Sequence, residues 1–137
     1  MEMDMTGKVA LVTGAGVGIG RATAELLAAR GAFVGIHYHS SEKQAKAVLE
    51  GIRARGGDGM LLQADLVDEA QANAVVRQLT AQAGRLDILV NNAGSPIERS
   101  RIEDCSLELW HAVLDTNLTS AFLVTRTAIP HLRAAGK

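Results

Sequence analysis

Val9-Ala-Leu-Val-Thr-Gly-Ala-Gly-Val-Gly-Ile-Gly20 joins four uninterrupted apolar residues to a run with glycine at positions 14, 16, 18 and 20. An apolar run without alternation reads as a strand buried on both faces, the kind found in parallel sheets. The segment after the glycines, Arg21 to Arg30, is rich in Ala and Leu and stops at Gly31, where a missing side chain suits a left-handed helix cap. Strand, glycine-rich turn and helix are the first half of a βαβ unit.

Working outward, the cycle repeats. Ala32 to Tyr38 reads as a second strand. Ser41 and Gln44 have capping-box spacing, and Ala45, Val48, Leu49 and Ile52 form one apolar helical stripe that ends at Gly56 and Gly57. Met60 to Leu62 reads as a third strand running to Asp65. Asp68 and Gln71 again have cap spacing, ahead of a stripe of Ala72, Val75, Val76 and Leu79 that closes at Gly84. Leu86 to Val90 gives a fourth strand. A loop follows to about Glu103, and the pattern predicts one long helix over Ser106–Ala135, bent by Pro130 near its end. Strands alternating with helices through short connections imply an α/β fold, a doubly wound parallel sheet with right-handed crossovers. No repeat, low-complexity tract or linker divides the chain, so residues 1–137 are read as a single domain.

Composition narrows the function only by exclusion. With 14 Lys and Arg against 15 Asp and Glu, the net charge of −1 provides no basic field for nucleic acid or an anionic membrane. Hydrophobic residues at 47% and charged ones at 21% exclude intrinsic disorder. The apolar runs are too short for a membrane span, and the acidic start lacks the pattern of a signal peptide. A single cysteine, Cys105, cannot form an internal disulfide. A cytoplasmic location is the expectation.

The glycine turn carries the first chemical signal. Gly14 permits a tight turn, Gly18 lets backbone approach a phosphate, and Gly20 lets helix and strand pack closely, while N–H groups near Ile19 at the helix start face the anion. Spacing leaves alternatives open. G-x-G-x-x-G started at Gly14 fails at Ile19, Gly14-x-Gly16-x-Gly18 suits an S-adenosylmethionine site, and T-G-x-x-x-G-x-G fits through Thr13, Gly14, Gly18 and Gly20.

Three further signals decide between them. Asp65 ends the third strand in Gln-Ala-Asp-Leu66, Asn91-Asn-Ala-Gly94 ends the fourth, and Asn117 lies mid-helix in Asp115-Thr-Asn-Leu118. With T-G-x-x-x-G-x-G, this ordered set resembles the short-chain dehydrogenase/reductase family over the whole chain. The resemblance implies a Rossmann fold and hydride transfer between a nicotinamide cofactor and a carbonyl or alcohol carbon. It implies a cofactor site of Thr13, Gly14, Gly16, Gly18, Ile19, Gly20, Asp65, Leu66, Asn92, Ala93 and Gly94. Asp65 and the Leu66 backbone would meet the adenine, and Asn92 to Gly94 would line the ribose through backbone contacts. Asn91 is read as structural. Asn117 is the one catalytic residue implied, at a helix kink whose freed carbonyl holds a water of the proton relay. Asn is a poor mid-helix choice on physical grounds too, because its side chain competes for backbone hydrogen bonds.

The nicotinamide is read from the end of the second strand, where an NAD site usually carries an acid for the ribose 2′-hydroxyl. Tyr38 stands there instead, and nothing acidic precedes Glu42. His39, Ser40 and Ser41, with nearby Lys43, could donate to a 2′-phosphate, so NADP(H) is favoured over NAD(H). The segment resembles the strand end of NADP(H)-linked pteridine reductases, although Ser40 stands where those carry arginine. The missing acid also weakens the methyltransferase reading.

The family's catalytic Ser and Tyr-x-x-x-Lys have no match here, since the lone tyrosine, Tyr38, is followed four residues on by Glu42. The expectation is the cofactor-binding N-terminal part of a longer enzyme, without the family's C-terminal strands and inactive alone. A non-catalytic dinucleotide-binding or redox-sensing module is the rival. By the resemblance, the partners are a small-molecule carbonyl or alcohol substrate and further copies of the chain, in a homo-dimer or homo-tetramer through the long helix. Ser95-Pro-Ile-Glu-Arg99 could border the substrate. No metal site is expected, as His37 and His39 share a strand face without a third ligand. Leu107, Trp110, Val113 and Leu114 form a stripe read as core or subunit contact.

Overall fold

Val9 to Val12 form strand β1, and all four residues are buried, as a central strand covered on both faces requires. The computed structural model describes residues 3–136. After β1 come α1 (Gly18–Ala29), β2 (Phe33–Tyr38), α2 (Glu42–Ala54), β3 (Asp58–Gln63), α3 (Glu69–Ala83) and β4 (Ile88–Val90). A 3-10 turn (Ile102–Asp104), α4 (Leu107–Leu114), a π-turn (Asp115–Thr119) and α5 (Ser120–Ala135) complete the order. The strands pair in parallel in the order β3-β2-β1-β4, with Val12 opposite Ile36 on one side and Val90 on the other. Strand order therefore reverses between β1 and β4, which opens a crevice at their carboxyl ends.

Two cores flank the sheet, so it is doubly wound. On one face, α1 and α2 bury Ala24, Ala28, Ala45, Val48, Leu49 and Ile52 against Val12, Val34 and Ile36. On the other, α3 and α5 bury Ala72, Val75, Val76, Leu79, Leu123, Val124 and Ala128 against Val9, Leu11 and Leu62. The buried row of α1 is made only of small residues, Gly20, Ala24 and Ala28. These are spaced four apart and lie on one side of the helix. The start of β4 is fastened to β1 by Asp87, which accepts from Val9 N–H at 2.9 Å and from Arg85 at 2.6 and 2.8 Å. The Arg85 guanidinium holds this carboxyl below the usual carboxylate range.

Helix ends follow the sequence signals with one exception. Gly31 N–H donates to Ala28 O and Ala32 N–H to Leu27 O, a Schellman closure of α1. Asp68 caps α3 by accepting Gln71 N–H at 3.0 Å. Ser41 precedes α2 but makes no side-chain cap bond. Its Oγ lies instead 3.0 Å from where a Cβ on Gly16 would stand, turned toward the glycine loop.

The expected single helix over Ser106–Ala135 is divided. Asn117 Nδ2 donates to Val113 O at 2.9 Å, occupying the acceptor that its own N–H would use in an α-helix. Backbone bonding widens there, with Ser120 N–H reaching back to Asp115 O, five residues away. The chain remains helical through Pro130. The stripe on α4 is not core, since Leu107 is 69% and Trp110 49% exposed.

Candidate functional site

Thr13, the last residue before the glycine turn, is 1% exposed and organises the crevice. Its Oγ1 donates to Val90 O at 3.3 Å and accepts N–H bonds from Asn92 and Ala93, both at 3.0 Å. Asn92 reciprocates, its Nδ2 donating to Thr13 O and Gly14 O at 3.0 Å. The carboxyl ends of β1 and β4 are thus cross-linked by two side chains. Asn91, read as the structural asparagine, instead reaches α5, its Nδ2 donating to Thr125 Oγ1 at 2.9 Å.

The turn then runs into α1 without a cap. Val17 occupies the N-cap position with no side-chain bond, and no acid lies in the first turn. The first N–H groups of a helix have no intrahelical acceptor, so those of Gly18, Ile19 and Gly20 remain available to an anion. Gly18 has φ +56 and nothing within 4 Å of where its Cβ would be, leaving open space beside its backbone. A Cβ on Gly20 would overlap Gly14 O and Asn92 Nδ2, so only glycine lets α1 start this close to β1.

Beside the turn lies a cleft of about 450 Å³. It brings together Gly14, Tyr38, His39, Ser40, Ser41, Asp65, Leu66, Ala93 and Gly94 of the expected cofactor residues. Thr13, Gly16, Gly18, Ile19, Gly20 and Asn92 are not on its wall. Thr13 and Asn92 act behind it through the cross-links above, and Gly18 to Gly20 form the adjoining helix start. The N–H groups of Asn92 and Ala93 are both engaged by Thr13, so they are not what a ligand would meet there. Asp65 keeps acceptor capacity, with one oxygen accepting Val67 N–H at 3.2 Å.

Asn117 stands at the far side, on the π-turn. Its amide pairs with the backbone of Ser95, accepting Ser95 N–H at 3.1 Å and donating to Ser95 O at 2.7 Å. The loop after Gly94 is thereby clipped to the helix, and Ser95, Thr116 and Ser120 join the cleft wall.

Sequence reasoning missed the residue beneath this cleft. The sequence places His37 and His39 on one strand face, yet His37 is 2% exposed while His39 is exposed. Its Nδ1 accepts Gly14 N–H at 3.0 Å and its Nε2 lies 2.9 Å from Ala64 O. The available signal was its position between Ile36 and Tyr38 in a buried strand, where a polar side chain needs partners. Burial, more than the neighbouring His39, lowers its pKa, and the Ala64 carbonyl partly offsets this. Among the described residues, no group of three or more His, Cys, Asp or Glu could hold a metal ion. No described helix is long and apolar enough to cross a membrane.

Comparison with known proteins agrees with this architecture. The family model described as short chain dehydrogenase matches residues 8–137. An uncharacterized oxidoreductase of Methylorubrum extorquens is 43% identical over 132 residues, covering 96% of this chain and 53% of that protein. A short chain dehydrogenase from Burkholderia cenocepacia, solved in complex with NADP, superposes with a TM-score of 0.89 at 39% identity, over 95% of this chain and 53% of that one. An NADH-dependent reductase responsible for alginate metabolism superposes with a TM-score of 0.90 at 37% identity, over 96% and 53%. The chain spans about half the length of the relatives it matches. Its four-stranded parallel sheet is Rossmann-like, and the chain belongs to the short-chain dehydrogenase family.

Proposed function

We propose that this chain is the dinucleotide-binding half of an oxidoreductase that prefers NADP(H) and moves hydride between nicotinamide and a carbonyl or alcohol carbon. The observation that carries the cofactor choice is the end of β2. Tyr38 is the last residue of the strand, and the first acid after it, Glu42, opens α2 with its carboxylate 2.9 Å from Lys46 Nζ. A 2′-phosphate would meet no carboxylate at the strand end and would have His39, Ser40 and Ser41 in the same cleft as donors. Similar structures are described with NADP and as NADH-dependent, so the reading rests on the strand end rather than on the family likeness.

The residues fit the rest of a dinucleotide. The uncapped start of α1 at Gly18, Ile19 and Gly20 would take the pyrophosphate, since a helix N-terminus supplies both N–H donors and a favourable dipole. Asp65 would accept from the adenine amino group beside the Leu66 backbone, and Ala93 and Gly94 would flank the ribose. When bound, the cofactor supplies the hydride. Asn117 would act at the substrate end, holding a relay water through the opened π-turn. Exposed Leu118 on the π-turn and Phe122 and Ile129 on α5 would be covered by a second copy, giving a homo-dimer or homo-tetramer in the cytoplasm.

Calorimetric titration tests the cofactor reading. NADPH is expected to bind about tenfold more tightly than NADH, equivalent to about 1.4 kcal/mol. Equal or reversed affinities would overturn the preference. In an enzyme with the complete active site, Asn117→Ala is expected to lower kcat by about a hundredfold with dinucleotide affinity nearly unchanged. Retained turnover would reduce Asn117 to a clip for the Ser95 loop.

A further inference from the structure

Two backbone groups from different elements converge on the ring of His37. Gly14 N–H can only donate, so the Nδ1 it meets at 3.0 Å must be bare. Ala64 O can only accept, so the Nε2 at 2.9 Å must carry the proton. The two contacts together admit a single tautomer, and it is neutral. The backbone of the same region adds Ala15 N–H donating to His37 O at 2.8 Å and Ala64 N–H to Tyr38 O at 3.1 Å. The glycine turn and the end of β3 are thus each tied to β2 by a backbone bond and also by one buried imidazole.

Resting on the dinucleotide reading above, we propose that His37 is a positioning residue for that site: its neutral ring holds the Gly14 amide, and with it the glycine turn, in register with the strand end that carries Asp65. Protonation at Nδ1 would set two donors against each other at a side chain only 2% exposed, and the Gly14 amide would lose its acceptor while the backbone bond from Ala15 to His37 remained. The ionisable groups sharing the cleft are Tyr38 and His39 on the same strand and Asp65 after Ala64. The walls contributed by the glycine turn, the loop after β4 and the π-turn carry none.

The sign follows from which state binds the extra proton. Burial lowers the His37 pKa below its ordinary value. The unfolded chain thus takes up its proton first as pH falls, and His37's stabilising contribution is full above about pH 6.5 and declines below it. Dinucleotide affinity should decline at still lower pH, as the ring of the folded protein titrates.

Nitrogen-15 NMR of the intact chain, with NAD⁺ and NADP⁺ titrations, provides the test. At neutral pH the ring should show a protonated Nε2 and a bare Nδ1, and the Gly14 amide should be slow to exchange and should shift as the ring titrates. His37→Ala should remove that protection and weaken both dinucleotides by about tenfold. His37→Asn, whose Oδ1 accepts without titrating, should restore Gly14 protection and remove the His37 step from the pH profile. Comparing NAD⁺ with NADP⁺ separates that step from titration of the 2′-phosphate. A protonated Nδ1 at neutral pH, or a folded His37→Ala protein with unchanged Gly14 exchange and affinity, would overturn the proposal. If the wild-type chain binds neither dinucleotide, the functional reading fails, while the Gly14 amide still decides whether His37 anchors the turn.

Discussion

Gly20→Ala is expected to abolish dinucleotide binding and to lower the unfolding free energy by about 3 kcal/mol. The added methyl would overlap Gly14 O and Asn92 Nδ2, and neither neighbour can yield cheaply. Gly14 O is held in place by the Asn92 amide, which also bonds Thr13 O. Relief would require lifting α1 from β1, which carries the amides of its first turn away from the crevice. Urea unfolding with a parallel NADPH titration measures both effects. Gly18→Ala is the control for the urea midpoint alone, because in the free protein its methyl enters open space and only the positive φ is penalised, at about 1–2 kcal/mol. A Gly20→Ala protein with a wild-type urea midpoint would refute the close-approach argument.

Thr13→Val should cost about 2 kcal/mol without changing the volume of the core. The loss is electrostatic. Asn92 N–H keeps a second acceptor in Val90 O at 3.1 Å, but Ala93 N–H is left with no acceptor beside a buried side chain. Thr13→Ser keeps the hydroxyl and sacrifices a methyl group, so it should retain the cross-link at a cost of about 1 kcal/mol. Thermal unfolding of the pair ranks the two. If Ser proves more damaging than Val, packing of the methyl group matters more than the hydroxyl.

The strand-turn-helix rhythm was legible because its signals are local. Val9 to Val12, the capping Asp68 and the stripes of α2 and α3 each declare themselves within a few residues, and the buried positions they specify are the buried ones observed. Asn117 could be singled out as a misfit in a helix, but not the wider turn it accompanies. Over five residues the apolar pattern does not distinguish bonding four residues back from bonding five back. Ser41 had the spacing of a cap and is turned elsewhere, toward a glycine 25 residues earlier in the chain, a contact no local rule contains. His37 was illegible for the same reason. Its two partners come from the glycine turn and from the end of β3, and only the folded sheet brings them to one ring.

The small-residue row along α1 bears on how such a protein tolerates change. Gly20, Ala24 and Ala28 set the standoff between helix and sheet, much as a shim sets the height of a part. A bulkier residue at position 24 or 28 would act at a distance, tilting the helix about its far end. The displacement would be felt at Gly18 to Gly20, although neither substituted residue touches the cleft. Variation in α1 should therefore concentrate on its outward positions, such as Ala22 and Leu26, where side-chain size is decoupled from the height of the phosphate-facing amides.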